Sequence, residues 1–172
     1  QQDKLTLSVN ASEMYMNTPA VDATSVRKNL AEGSTVTSNT TTSGGNNMVF
    51  ATVDANYQID EHNTMSATVS LMNMNSKNDM EMETLTVPGS EYSQTNNNKM
   101  RNTSVNASVD YTHTYSDNPR HTLTSAYRFS ASPRKNDMLT EYSGINIPDY
   151  DRVDKNNMLE HTLQLDYTQP LS

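Results

Sequence analysis

The sequence predicts an all-β fold, an antiparallel up-and-down meander of about six long strands. Polar-apolar alternation marks six segments, at about 4–16, 47–59, 65–75, 100–115, 121–132 and 158–169. The connections between them switch in length: about 17–46, 60–64, 76–99, 116–120 and 133–157. All five glycines (Gly33, Gly44, Gly45, Gly89, Gly144) and the prolines Pro19, Pro88, Pro133 and Pro148 lie in the long connections, Pro119 in a short one and Pro170 at a strand end. Every second connection of a meander lies on the same side, so one side carries tight turns and the other long loops. With strands of about ten to thirteen residues, that asymmetry makes the chain a fragment of a larger transmembrane β-barrel.

Each segment justifies its strand. In the first, Leu5, Leu7, Val9 and Ala11 alternate with Thr6, Ser8, Asn10 and Ser12. The second sets Val49, Ala51, Val53, Ala55, Tyr57 and Ile59 against Phe50, Thr52, Asp54, Asn56 and Gln58. Met65, Ala67, Val69 and Leu71 form the apolar side of the third, and Val105, Ala107, Val109 and Tyr111 that of the fourth. In the fifth, Ser125 interrupts Leu123, Tyr127, Phe129 and Ala131; in the sixth, Leu159, Leu163, Leu165 and Tyr167 alternate with polar residues. A period of two sends these sets to opposite faces of a strand. Glu13 and Arg101 break the apolar phase at the long-loop ends of their strands.

Composition agrees with a wall whose other face is wet. Hydrophobic residues make up 33% of the 172, with no Trp and two Phe, too few for an ordinary core. No apolar run approaches the roughly 18 residues of a membrane-spanning helix, and no basic, then apolar, leader pattern occurs. The absence of Cys removes disulfides and thiolate sites. A net charge of −8 without a Lys/Arg cluster disfavours nucleic acid.

Same-face pairing predicts hairpin registers. Around 60–64, Ala55 is expected opposite Val69 and Val53 opposite Leu71; around 116–120, Val109 opposite Tyr127 and Tyr111 opposite Ser125, with Asp110 and Arg128 as diagonal neighbours. Val53-Asp54, Val109-Asp110 and Leu165-Asp166 recur at a spacing of 56 residues, each followed by a tyrosine. Tyr57, Tyr111 and Tyr167 are therefore candidates for an interfacial aromatic belt, and Asp54, Asp110, Arg128 and Asp166 for the lumen-facing wall.

The stretches NTSVNASVDYTHTYSDNPRHTLTSAYRFSAS (102–132) and EHTLQLDYTQPLS (160–172) resemble the outer-membrane β-barrel region of TonB-dependent receptor-like proteins, the Gram-negative outer-membrane protein β-barrel family. The matching elements are strands closing on Asp110-Tyr111-Thr112 and Asp166-Tyr167-Thr168, a polar turn, and a new start at His121-Thr122-Leu123. The resemblance spans about 47–75 and 100–172 and includes no ligand motif. It implies an outer-membrane location with the long loops extracellular, a periplasmic plug, coupling to TonB, and uptake of a bulky nutrient. Six strands cannot close in lipid, where about eight is the minimum, and the end of the chain has no terminal aromatic, so an internal piece of a larger barrel is expected. Its partners would be outer-membrane lipid and the remaining strands, with loops 17–46, 76–99 and 133–157 as ligand contacts.

Other chemistry is thinly supported. Met14-x-Met16, Met72-x-Met74 and Met80-x-Met82 offer thioethers to Cu(I), but no His or Cys adjoins them, and Met is a common apolar filler. Asp149-x-Asp151-x-x-Asp154 lacks the glycine and distal glutamate of a calcium loop. His62, His113, His121 and His161 show no ligand spacing, and no nucleophile motif occurs. Glu81 and Glu83 read as a solvated strand extension rather than an acid/base couple. No enzyme, cofactor or metal site is expected. The competing class is a soluble extracellular β-rich adhesin or structural domain, in which Val53, Val109 and Leu165 would face a second sheet.

Overall fold

The computed structural model describes residues 4–170. Six strands form one open antiparallel sheet in chain order: β1 (Leu5–Asn29), β2 (Ser34–Gln58), β3 (Asn63–Val87), β4 (Glu91–Thr114), β5 (Thr122–Ser143) and β6 (Tyr150–Thr168). The described residues contain no helix. The six-stranded meander is as expected, but the strands are about twice as long as the alternating segments, reaching 25 residues in β1, β2 and β3.

The long connections are therefore not loops. Residues 17–46, 76–99 and 133–157 continue the ladders and reverse at Leu30–Gly33, Pro88–Ser90 and Gly144–Asp149. Alternation failed to reveal them because both of their faces are mostly polar, with only short apolar stretches such as Met80 and Met82: a period-two signal reports amphipathicity, not hydrogen bonding. Gly33 (φ 67°) and Gly144 (φ 83°) supply the left-handed turn positions. Gly44 and Gly45, read as loop residues, lie inside β2. Pro19 sits in β1 where the register shifts between Thr18 and Val21, and Pro133 sits in β5, opposite a gap in the β4–β5 ladder between the Asn102–Arg134 and Val105–Ala131 pairs. Both are places where a missing amide proton costs no ladder bond.

One hairpin register is as expected and one is not. Val109 faces Tyr127 and Tyr111 faces Ser125. Ala55, however, faces Ala67 and Val53 faces Val69, a slip of two residues from the expected pairs. The cause lies in the turn: the Asp60 carboxylate accepts the His62 amide at 2.8 Å and the Asn63 side chain at 2.7 Å, closing the loop between Ile59 and Asn63. Because the slip is even, every side chain keeps its face.

The three aspartates step across the rows by two residues at a time. The row through Asp54 meets β4 at Ser108, two residues from Asp110, and the row through Asp110 meets β6 at Gln164, two residues from Asp166. Two residues of rise, about 6.6 Å, over two strand spacings, about 9.6 Å, correspond to a slope of about 35°. Strands tilted by that angle would bring all three aspartates, and the three tyrosines after them, close to one level.

Among the described residues nothing packs on the sheet. The exposed surface is 12406 Å², against about 8,400 Å² for a compact protein of this mass. Ala126 is the one buried hydrophobic residue among those described.

Candidate functional site

Apart from the shift in β1 at Pro19 and the gap opposite Pro133, the ladders are continuous, so each side chain belongs to a transverse row on one of two faces. On the odd-numbered face, four successive apolar rows cross the sheet at its short-turn end. One of them joins Val9, Val53, Val69, Ala107, Phe129 and His161; the next joins Ala11, Ala51, Leu71, Val105, Ala131 and Leu159. This face is also the more exposed one. In β3, Met65, Val69 and Leu71 are exposed while Ser66, Thr68, Ser70, Met72, Met74 and Ser76 are all half-buried. Unequal shielding of the two faces of one sheet fits curvature towards the even side. Even-face neighbours hydrogen-bond across strands: Thr68 Oγ1 donates to Asp54 at 2.7 Å, and Ser130 Oγ to Asn106 at 2.8 Å.

All four expected wall residues lie on the even face. Asp54 accepts from Thr68 and, at 3.4 Å, from Ser8; Asp166 accepts from Gln164 at 2.6 Å. Asp110 and Arg128 are the diagonal neighbours expected, Arg128 facing Ser108 and Asp110 facing Ala126, yet no salt bridge joins them among the described residues.

Tyr57 and Tyr111 share one odd-face row through Met65, and Tyr167 lies in the adjacent row nearer the turns, opposite Leu123. The aromatic cluster at this end holds more than three tyrosines. Tyr115 stacks on His121 with ring centroids 3.9 Å apart, and His121 Nε2 is 2.7 Å from the Tyr167 hydroxyl. Tyr111 donates its hydroxyl hydrogen to the Asn63 side chain, which also lies 2.8 Å from His113 Nδ1. The turns below carry carboxylates held ionised: the hydrogen bond to His121 lowers the Asp117 pKa, and the His62 amide, followed by the Asn63 side chain, lowers that of Asp60. Sequence reading missed Tyr115 and the histidines because it assigned them to turns or strand ends without partners.

Several other constellations come apart or regroup. Asp149 accepts the Tyr142 amide in its turn, while Asp151 and Asp154 point to opposite faces, Asp154 being paired with Arg152. No group of three metal-capable His, Asp or Glu residues converges among the described residues. Met14, Met48 and Met74 line up in one even-face row of β1–β3, with Met16 and Met72 beside them. The solitary Met48 gave no sequence signal.

The odd face changes character beyond its apolar rows. Arg101, Lys135 and Lys155 stand side by side in one row, and Lys77 and Lys99 in the next. Further out come Glu81, Glu83, Glu91 and Glu141. The cations escaped notice as isolated residues of supposed loops, although Lys77 and Lys99 are equidistant from the Pro88 turn. Compared with known proteins, the chain matches no family model and no curated protein.

Proposed function

We propose that the chain is a wall segment of a transmembrane β-barrel. Its odd face would lie against lipid, its even face would line a wet interior, and its long hairpins would stand out on one side of the membrane. The observation that carries this reading is a continuous apolar band on the more exposed face of a sheet with nothing packed against it. From Tyr57 to Val49 the band on β2 covers nine residues, about 26 Å along the strand and about 22 Å along the normal at 35° tilt, close to the roughly 25 Å of a barrel's apolar girdle. Tyrosines edge it on the short-turn side, where amphipathic rings favour an interface. The tilt that would level the three aspartates, about 35°, lies at the low end of barrel strand tilts, about 35–45°.

The open edges support the same reading. Every residue of β1 and β6 is exposed, and six strands leave two unpaired ladders. Such edges are untenable in lipid, so further strands of the same barrel are the partners proposed. Beyond Val49, β2 continues to Ser34, about 40 Å of hairpin above the band on tilted strands. These protruding hairpins, rather than flexible loops, would be the ligand-contacting surface of an outer-membrane receptor or transporter. The uptake role, the plug and TonB coupling rest on the resemblance of 102–132 and 160–172 alone.

The chain contains no Trp, so a single introduced one is a clean probe. In vesicles containing brominated phosphatidylcholine, Val53→Trp, Val109→Trp and Leu163→Trp should be quenched, and Thr52→Trp and Ser108→Trp should not. Equal or absent quenching on both faces would refute the barrel and favour the soluble adhesin.

A further inference from the structure

Five cations gather where electrostatics alone would scatter them. The chain holds 12 Lys and Arg against 20 Asp and Glu, so no surplus of positive charge forces basic residues together. Yet Arg101, Lys135 and Lys155 occupy directly opposed positions on β4, β5 and β6, and Lys77 opposes Lys99 on β3 and β4. Like charges directly opposite in a sheet destabilise it. Asp79 and Asp137 relieve only part of this: Asp79 pairs with Lys77, and Asp137 holds Lys135 at 2.7 Å. Asp137 also faces Lys99 across the ladder without reaching it. Among the described residues Lys99, Arg101 and Lys155 form no ion pair, and all three are exposed.

Position sharpens the point. The five cations lie in two adjacent rows, and on strands tilted by about 35° they fall within about two residues of one level, just beyond the apolar band. Beside them lies an open concavity of 650 Å³, lined by Gly45, Tyr15, Asn75, Lys77, Lys99 and Arg101, with Asp79 as its one carboxylate. A Cβ at Gly45 would come 3.0 Å from the Met16 carbonyl oxygen, so a larger residue there would require the β1 backbone to give by a few tenths of an ångström.

We propose that this tier binds the phosphate groups of a phosphorylated lipid in the leaflet on the long-hairpin side, with Lys99, Arg101 and Lys155 as the principal contacts. The proposal rests on the barrel reading. An arginine fork and two ammonium groups at one level suit a row of phosphates. Acyl chains would then lie along the apolar rows directly beneath, which is why a lipid rather than a free anion fits the site.

The test uses the full chain in detergent micelles, titrated with diphosphorylated lipid A and with its dephosphorylated form. Wild-type protein should bind the phosphorylated lipid, and the triple variant Lys99→Gln, Arg101→Gln, Lys155→Gln should bind it at least tenfold more weakly, while millimolar inorganic phosphate fails to compete. Unchanged affinity in the variant overturns the proposal. Full competition by inorganic phosphate also overturns it, revealing a free-anion site. Val109→Trp quenching, measured on wild-type and variant backgrounds, separates the two readings. If quenching persists while lipid binding is insensitive to the variant, only the headgroup site fails; if quenching is absent, the barrel reading fails and takes the site with it.

Discussion

The two ends of the sheet make the same hydrogen bonds from opposite sequence material. At the short-turn end, β2 and β4 alternate Val, Ala and Tyr with Asp, Asn and Ser; at the long-hairpin end, Thr37 to Ser43 and Ser93 to Asn98 are polar on both faces. Ladder pairing continues without interruption from Gln58–Thr64 to Thr35–Val87. Strand formation and amphipathicity are therefore separate properties. The first depends on a neighbouring backbone and β-branched or small polar residues that tolerate an extended chain; the second records what lies against the face.

The strongest way to break this contrast is to place a charge in each half. On the proposed barrel reading, Val53→Arg and Val109→Arg should each destabilise the protein in vesicles by about 2–4 kcal/mol, measured by urea unfolding. Thr40→Arg or Thr95→Arg, in ladders of equal regularity, should cost less than about 0.5 kcal/mol. Equal costs at both ends would mean that the band does not face lipid.

A steric change probes the far half on its own terms. At Gly44 a Cβ would stand 2.5 Å from the Lys77 carbonyl oxygen, and backbone cannot step aside as a flexible side chain can. Gly44→Val should therefore lose about 1–3 kcal/mol and open amide exchange in β2 and β3 on the hairpin side, with protection at the band retained. Gly33→Ala meets no atom within 4 Å and should cost only the strain of its φ of 67°, about 1 kcal/mol.

The smallest effect sits in the short turns. Asp60 and Asp117 have pKa values lowered by hydrogen bonds to the His62 amide and to His121 respectively. A depressed carboxylate pKa adds stability that is complete above the unfolded value, about 3.9, and is lost as pH falls through the lower folded value. Local exchange of the 59–62 and 115–121 turns should accelerate below about pH 4, and Asp60→Asn and Asp117→Asn should flatten that dependence. Persistence of the acid transition in the double variant would assign it elsewhere.

Much of the near half was legible from residue order. Val53, Val109 and Leu165 announced their strands, their faces and the tyrosines beside them, because a period of two with one apolar side is a local property. The turn between Tyr115 and His121 was equally local, and its register followed from same-face matching. The remainder depended on tertiary structure. The two-residue slip at Asp60 required the geometry of one carboxylate against its own turn. The strands through 17–46, 76–99 and 133–157 required partners that a sequence without alternation does not reveal. The row of Arg101, Lys135 and Lys155 assembles residues 34 and 20 positions apart, counted along the sequence. Only the ladder register, a sum over all the hydrogen bonds between strands, brings their charges to one level.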